Sequence, residues 1–82
     1  MSRNIWMEIQ SEYAKATENW PPFNSAHEGL SVLMEEVHEL REHVYTNQKK
    51  RDLEAMRKEA IQVAAMAVRF ATEVCDEERG RK

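Results

Sequence analysis

Ser25-Ala26-His27-Glu28-Gly29-Leu30-Ser31-Val32-Leu33-Met34-Glu35-Glu36-Val37-His38-Glu39-Leu40 is the stretch on which the reading of this chain turns. A serine followed three residues later by glutamate, just ahead of an apolar run, is a capping box, and it predicts a helix from 26 to about 46. Leu30, Leu33, Met34, Val37, Leu40 and Val44 recur at helical spacing and form its expected core stripe. At about 100° per residue, Glu36, Glu39 and His43 fall with Val32 on a separate strip beside that stripe, and Glu35 lies farther round. Like charges three and four apart on a helix repel. Three carboxylates within one turn therefore make sense if a cation shares them, and a hard divalent ion that takes oxygen ligands is the natural one. The plainer alternative is a solvated acidic face.

Before this stretch, residues 4 to about 18 read as a first helix, with Ile5, Ile9, Tyr13 and Ala16 on one stripe. Asn4 or Ser2 is a suitable cap, and Trp6, beside the stripe, is expected in the core. Trp20-Pro21-Pro22-Phe23 ends that helix, because adjacent prolines remove two backbone donors and hold the chain extended. Its two aromatics form a hydrophobic plug or, alternatively, a wall for stacking a base.

After it, Tyr45-Thr46-Asn47-Gln48-Lys49-Lys50-Arg51 is a polar, basic connector, and Asp52 caps a third helix from Leu53 to about Asp76. Lys49, Lys50 and Arg51 are a solvated loop or, beside an acidic metal site, holders of substrate phosphates. Along the third helix Ala60, Ala64, Ala67 and Ala71 make a small-residue seam, widened by Leu53, Met56, Val63, Val68, Phe70 and Val74. Between Ile61 and Val68 it is apolar almost all round, and such a helix is buried all round. Three helices do not achieve that alone, so a second copy of the chain is expected to complete the bundle. Glu59, Gln62 and Met66 share the strip expected to face the acidic strip of the second helix. The charged tail, 76–82, is expected to fray.

The 82 residues allow one domain, 1–82, with a modest core. Scarce glycine and proline with abundant Glu, Lys, Ala, Leu and Met point to an all-α protein, an antiparallel bundle of about three helices per chain completed by oligomerisation. With 12 basic against 15 acidic residues and a net charge of −3, a nucleic-acid polymer is not the expected partner. The single cysteine, Cys75, requires no oxidising compartment and is expected to be packed beside Ala71 and Val74. No membrane span or apolar signal core is legible, and the chain reads as complete and cytoplasmic. His27, His38 and His43 lack zinc-ligand spacing, and His43 reads as a surface group or a support one turn beyond Glu39.

Taken together, Glu35-Glu36-Val37-His38-Glu39 and Glu59-Ala60-Ile61-Gln62 resemble the paired signature of the MazG-like nucleotide pyrophosphohydrolases. That all-α superfamily also includes dimeric dUTPases and the phosphoribosyl-ATP pyrophosphohydrolase. Its pattern is Glu-Glu-x-x-Glu on one helix and Glu-x-x-Asp on the next. The resemblance covers roughly residues 25–75, with glutamine at 62 where the family has aspartate. It implies magnesium-dependent hydrolysis (manganese being the alternative ion) of a nucleoside triphosphate to monophosphate and pyrophosphate. Glu36, Glu39 and Glu59 would hold the metal, Gln62 would stand in for the last ligand, and Glu35 would be a further ligand or orient the attacking water. Lys49, Lys50, Arg51 and Lys58 are candidates for the phosphates, and Trp20, Phe23 and Trp6 for the base. The implied partners are a nucleoside triphosphate and the chain itself, as dimer or tetramer. Two other readings stand beside this one. Gln62 removes a charge from the ligand set, which suits a weak or inactive relative that binds nucleotide or metal, and the alanine seam suits a helical interaction module.

Overall fold

The computed structural model describes residues 3–46, 48–78 and 81. Among these the chain is all-α, with three helices and no strand: α1 (Ile5–Asn19), α2 (Ala26–Val44) and α3 (Leu53–Arg69). A 3₁₀ turn, Gln48–Lys50, interrupts the connector, and α3 continues into a π-helical segment, Phe70–Asp76. No helix among the described residues is long and apolar enough to cross a membrane. Asn47 of the connector, the alternative cap Ser2 and tail residues Arg79, Gly80 and Lys82 lie outside the described residues.

Each helix starts where a side chain can take up its orphaned amides. Asn4 accepts from Met7 N at 3.1 Å, Ser25 Oγ from Glu28 N at 3.1 Å, and Asp52 Oδ1 from Glu54 N and Ala55 N at 3.0 and 3.1 Å. The capping box closes one residue earlier than its usual form, because Glu28 Oε1 accepts from Asn24 N at 3.2 Å. At the other end of α2, Arg51 Nε donates to Val44 O at 2.9 Å, so this connector arginine serves as a C-terminal cap.

The centre of the molecule is α3, which packs on α2 along one side and α1 along the other, while α1 and α2 scarcely touch. The chain therefore runs up, down and up in a flat layer, 44 × 30 × 18 Å, with a radius of gyration of 14.0 Å. A compact chain of this length would have about 12 Å. Along the α1–α3 seam, polar pairs set the parallel register. Arg3 donates to Glu54 at 2.6 and 2.9 Å, Arg57 pairs with Glu8 through both guanidinium nitrogens, and Gln62 Nε2 donates to Glu12 at 2.8 Å.

The core is small: Phe23, Ala65, Met66 and Val74, with Ala16, Ala26, Val32, Leu33 and Phe70 packed against it. Inside it lies an ion pair that the sequence reading passed over. Arg69 is 2 % exposed and Glu73 4 %. Arg69 Nε and Nη2 donate to the Glu73 carboxylate at 2.9 and 3.1 Å, and Nη2 also donates to Pro21 O at 3.0 Å. Glu73 Oε1 accepts from Phe23 N at 2.8 Å, and the guanidinium stacks 4.3 Å from the Phe23 ring centre. The two charges thus satisfy the backbone of the proline corner, which donates nothing at Pro21 and Pro22. Gly29 lets α2 approach, since a Cβ there would stand 2.8 Å from Phe70 and 3.0 Å from Phe23.

Several expectations are corrected. Trp6 is 80 % exposed, Cys75 is exposed, and Leu30, Met34, Leu53 and Val68 are uncovered. A layer one helix thick buries the seams between its helices and little else, so apolar residues that point away from those seams stay in solvent. The third helix also leaves α geometry at Phe70, and in the wider segment Glu73 and Val74 are both buried.

Arg69→Met is expected to destabilise the chain by about 3–5 kcal/mol, because it leaves Glu73 buried without its counter-charge. In urea unfolding, Arg69→Met/Glu73→Gln should recover part of that loss, since a neutral glutamine still accepts from Phe23 N.

Candidate metal centre

Glu36 and Glu39 stand three apart on α2 and Glu59 faces them from α3, so two helices must pack in register before the cluster exists. One carboxylate oxygen from each lies within 4.8 Å of the others. Glu36 and Glu59 are half-buried and Glu39 is exposed, so the cluster is a shallow site with its mouth on solvent.

Three carboxylates this close oppose one another's ionisation. Burial, followed by the charges of Glu39, Glu59 and Glu35, raises Glu36 above its ordinary 4.5. Glu59 is raised by burial and by Glu39 beside it, against smaller opposing effects of His43 and Lys58. Glu39 lies close enough to share a hydrogen bond with Glu59 once one of them holds a proton. With both ionised, Glu59 Oε2 is a buried oxygen that receives no donor. Such an oxygen costs free energy unless a proton or a cation meets it.

The donor set fits a small hard cation. Neighbouring ligands of magnesium stand about 3 Å apart, so the three oxygens, within 4.8 Å of one another, would have to draw together around an ion. Three carboxylates would fill half an octahedron and leave the other half to water or phosphate oxygens.

The remaining sequence candidates fall into three groups. Glu35 is exposed and shares with Glu39, Ser31, Met34 and His38 a groove of about 460 Å³ beside the cluster. Lys58 neighbours Glu59 closely enough to act on its titration. Gln62, the expected last ligand, instead sends its amide nitrogen to Glu12 across the α1–α3 seam. It borders a second cleft of about 550 Å³ between those helices, which also takes in Lys58 and Arg57. Lys49 and Lys50 are exposed on the 3₁₀ turn, and Arg51 is engaged with Val44 O. Trp20 is exposed, whereas Phe23 is buried under Arg69 and has no face open to a base. His43 lies half-buried near Glu59, while His38 pairs with Glu42 at 3.1 Å on the outer surface.

Glu8, Glu12, Arg57, Arg69 and Glu73 were not singled out from the sequence. Arg69 and Glu73 had one available signal, a cation and an anion four apart at the end of an otherwise apolar helix. Compared with known proteins, the chain matches no family model, no curated protein and no solved structure.

A carboxyl raised on folding holds its proton more tightly folded than unfolded, so it weakens folding as pH climbs from 4.5 through its folded value. Glu8 and Glu54, lowered by hydrogen bonds from Arg57 and Arg3, act in the opposite sense and below 4.5. Without divalent cations, Glu36→Gln should therefore melt above wild type at about pH 7, with the gap closing as pH falls toward the ordinary carboxylate range. Millimolar magnesium should raise the wild-type melting temperature and narrow the gap. Equal melting curves at neutral pH would contradict this account.

Proposed function

We propose that this chain is a small metal-dependent nucleoside triphosphate pyrophosphohydrolase of the MazG-like kind. One observation carries the reading: Glu36, Glu39 and Glu59, from two helices, bring ligand oxygens within 4.8 Å of one another. Those are the three metal-holding positions of the resemblance. They converge at the cost of like-charge repulsion, which a purely structural surface would avoid.

The roles follow from position. Glu36, Glu39 and Glu59 would hold magnesium, or manganese in its stead, and the ion would neutralise charge on the bound phosphates. Glu35, in the groove beside them, orients a water toward the α-phosphorus and accepts its proton as the bond to the β-phosphate breaks. The products are a nucleoside monophosphate and pyrophosphate. Lys58 beside Glu59, with Lys49 and Lys50 at the connector, supplies positive charge for the departing pyrophosphate. The connector and the cluster share one end of the layer, since Glu59 lies two turns into α3.

Gln62 favours a second reading. Its amide is bound to Glu12 rather than turned to the carboxylates, which leaves the cluster one ligand and one charge short of the family set. A relative that binds nucleotide and cation without rapid turnover would look like this.

Pyrophosphate release from a panel of canonical and modified triphosphates, with and without magnesium, separates the readings. The first predicts magnesium-dependent release that Glu39→Gln and Glu59→Gln reduce by at least about 100-fold. The second predicts nucleotide binding without release, and a gain of release in Gln62→Asp. Silence of folded protein in both binding and release would refute both.

A further inference from the structure

A hydrogen-bond donor stands close to the orphaned oxygen of the acidic cluster and is engaged elsewhere. Glu59 Oε2 is buried and receives no donor among the described residues. Gln62 follows it by three residues on α3, the spacing at which side chains on a helix meet. Its amide nitrogen nevertheless donates across the other seam, to Glu12 Oε2 of α1 at 2.8 Å. The acceptor is held in place for it. Glu8, one turn earlier on the same face of α1, is paired with Arg57 through both guanidinium nitrogens. Lys15 Nζ lies 3.6 Å from the second oxygen of Glu12, and the Glu12 side chain is only 28 % exposed. Seating α1 on α3 therefore also sets where the Gln62 amide points.

We propose that Glu12 is a positioning residue of the metal centre, which holds the Gln62 amide on the α1 side of α3 and so keeps Glu59 Oε2 open to a cation. The inference rests on the metal-dependent reading above, and it reverses the part that the resemblance implies for residue 62. Gln62 is then a donor kept out of the cluster, not a ligand within it. Chemistry sets the direction of the effect. A primary amide carries its donors on nitrogen and its acceptor on oxygen, and carboxylates attract the nitrogen end. Beside Glu36, Glu39 and Glu59, a released Gln62 would donate to them. A charge-assisted hydrogen bond to Glu59 Oε2 competes for the oxygen that an ion would use. Glu12 offers the same nitrogen a carboxylate in the opposite direction, where no ligand is needed. It touches neither ion nor substrate and acts through Gln62 alone.

Manganese binding to the full chain tests this, read from the electron paramagnetic resonance of the free ion with no nucleotide present. Wild type should bind the ion, and Glu12→Ala should weaken binding by about 10–100-fold, the usual cost of losing a group that orients a metal site. Gln62→Leu, which removes the donor, should bind at least as tightly as wild type. In that background Glu12→Ala should change binding by less than about 3-fold, an interaction between the two sites that a mere loosening of α1 would not produce. An equal loss in both backgrounds, or no loss in either, overturns the proposal and leaves the metal reading standing. Weaker binding by Gln62→Leu also overturns it, because Gln62 would then be a ligand. A wild type that binds no manganese overturns the metal reading and this inference with it. Should Glu12→Ala fail to fold, the isosteric Glu12→Gln takes its place. A neutral amide oxygen accepts less strongly than a carboxylate, so binding should fall by at least about 3-fold and recover with Gln62→Leu. Unchanged binding in Glu12→Gln overturns the proposal equally.

Discussion

The Arg69–Glu73 pair is the interaction on which the rest of the structure depends. A flat layer has few interior positions, and this chain places a full ion pair in one of them. Buried ion pairs give little net stability when compared with apolar replacements, so position rather than energy is their usual contribution. Here the guanidinium binds Pro21 O and the carboxylate binds Phe23 N, which fixes the corner against the end of α3. With the corner fixed, α1 and α2 leave it on opposite sides of α3. The phase of α2 is set next, by Gly29 against Phe23 and Phe70. That phase brings Glu36 and Glu39 opposite Glu59.

The acidic cluster is the counterpart of that arrangement. The ion pair at one end of α3 is internally satisfied, with donors and acceptors matched. The carboxylates nearer the other end are not: burial and mutual charge hold Glu36 and Glu59 above the ordinary range, and one oxygen of Glu59 receives no donor. Local conflicts of this kind concentrate where a protein binds something, because the ligand supplies the missing term.

Much of this was legible in the sequence, and the exceptions have a common cause. Helix number, order and caps follow from local chemistry, so Ser25, Asp52 and Asn4 could be placed without tertiary knowledge. The convergence of Glu36, Glu39 and Glu59 was legible too, because spacing on a helix fixes which side chains share a strip. What local rules do not encode is the number of layers. Periodicity identifies an apolar face and leaves open whether the same chain covers it, which is why Trp6, Leu30, Met34 and Leu53 were expected in a core and stand in solvent. Gln62 illustrates the same limit in the polar direction. Its strip on α3 borders two neighbours, and Glu12 of α1, spaced without any motif, engages its amide nitrogen.

The openness of the layer also constrains how such a small chain can carry a site. A cluster of carboxylates needs water, cations and substrate to reach it, whereas α3 needs burial along its length. In a closed three-helix bundle both demands fall on one interior, and acidic groups inside it would face the full cost of desolvation. Opening the bundle into a layer separates them. The carboxylates sit at a half-buried margin where a cation can enter, and the apolar contacts of α3 stay in the seams with its neighbours.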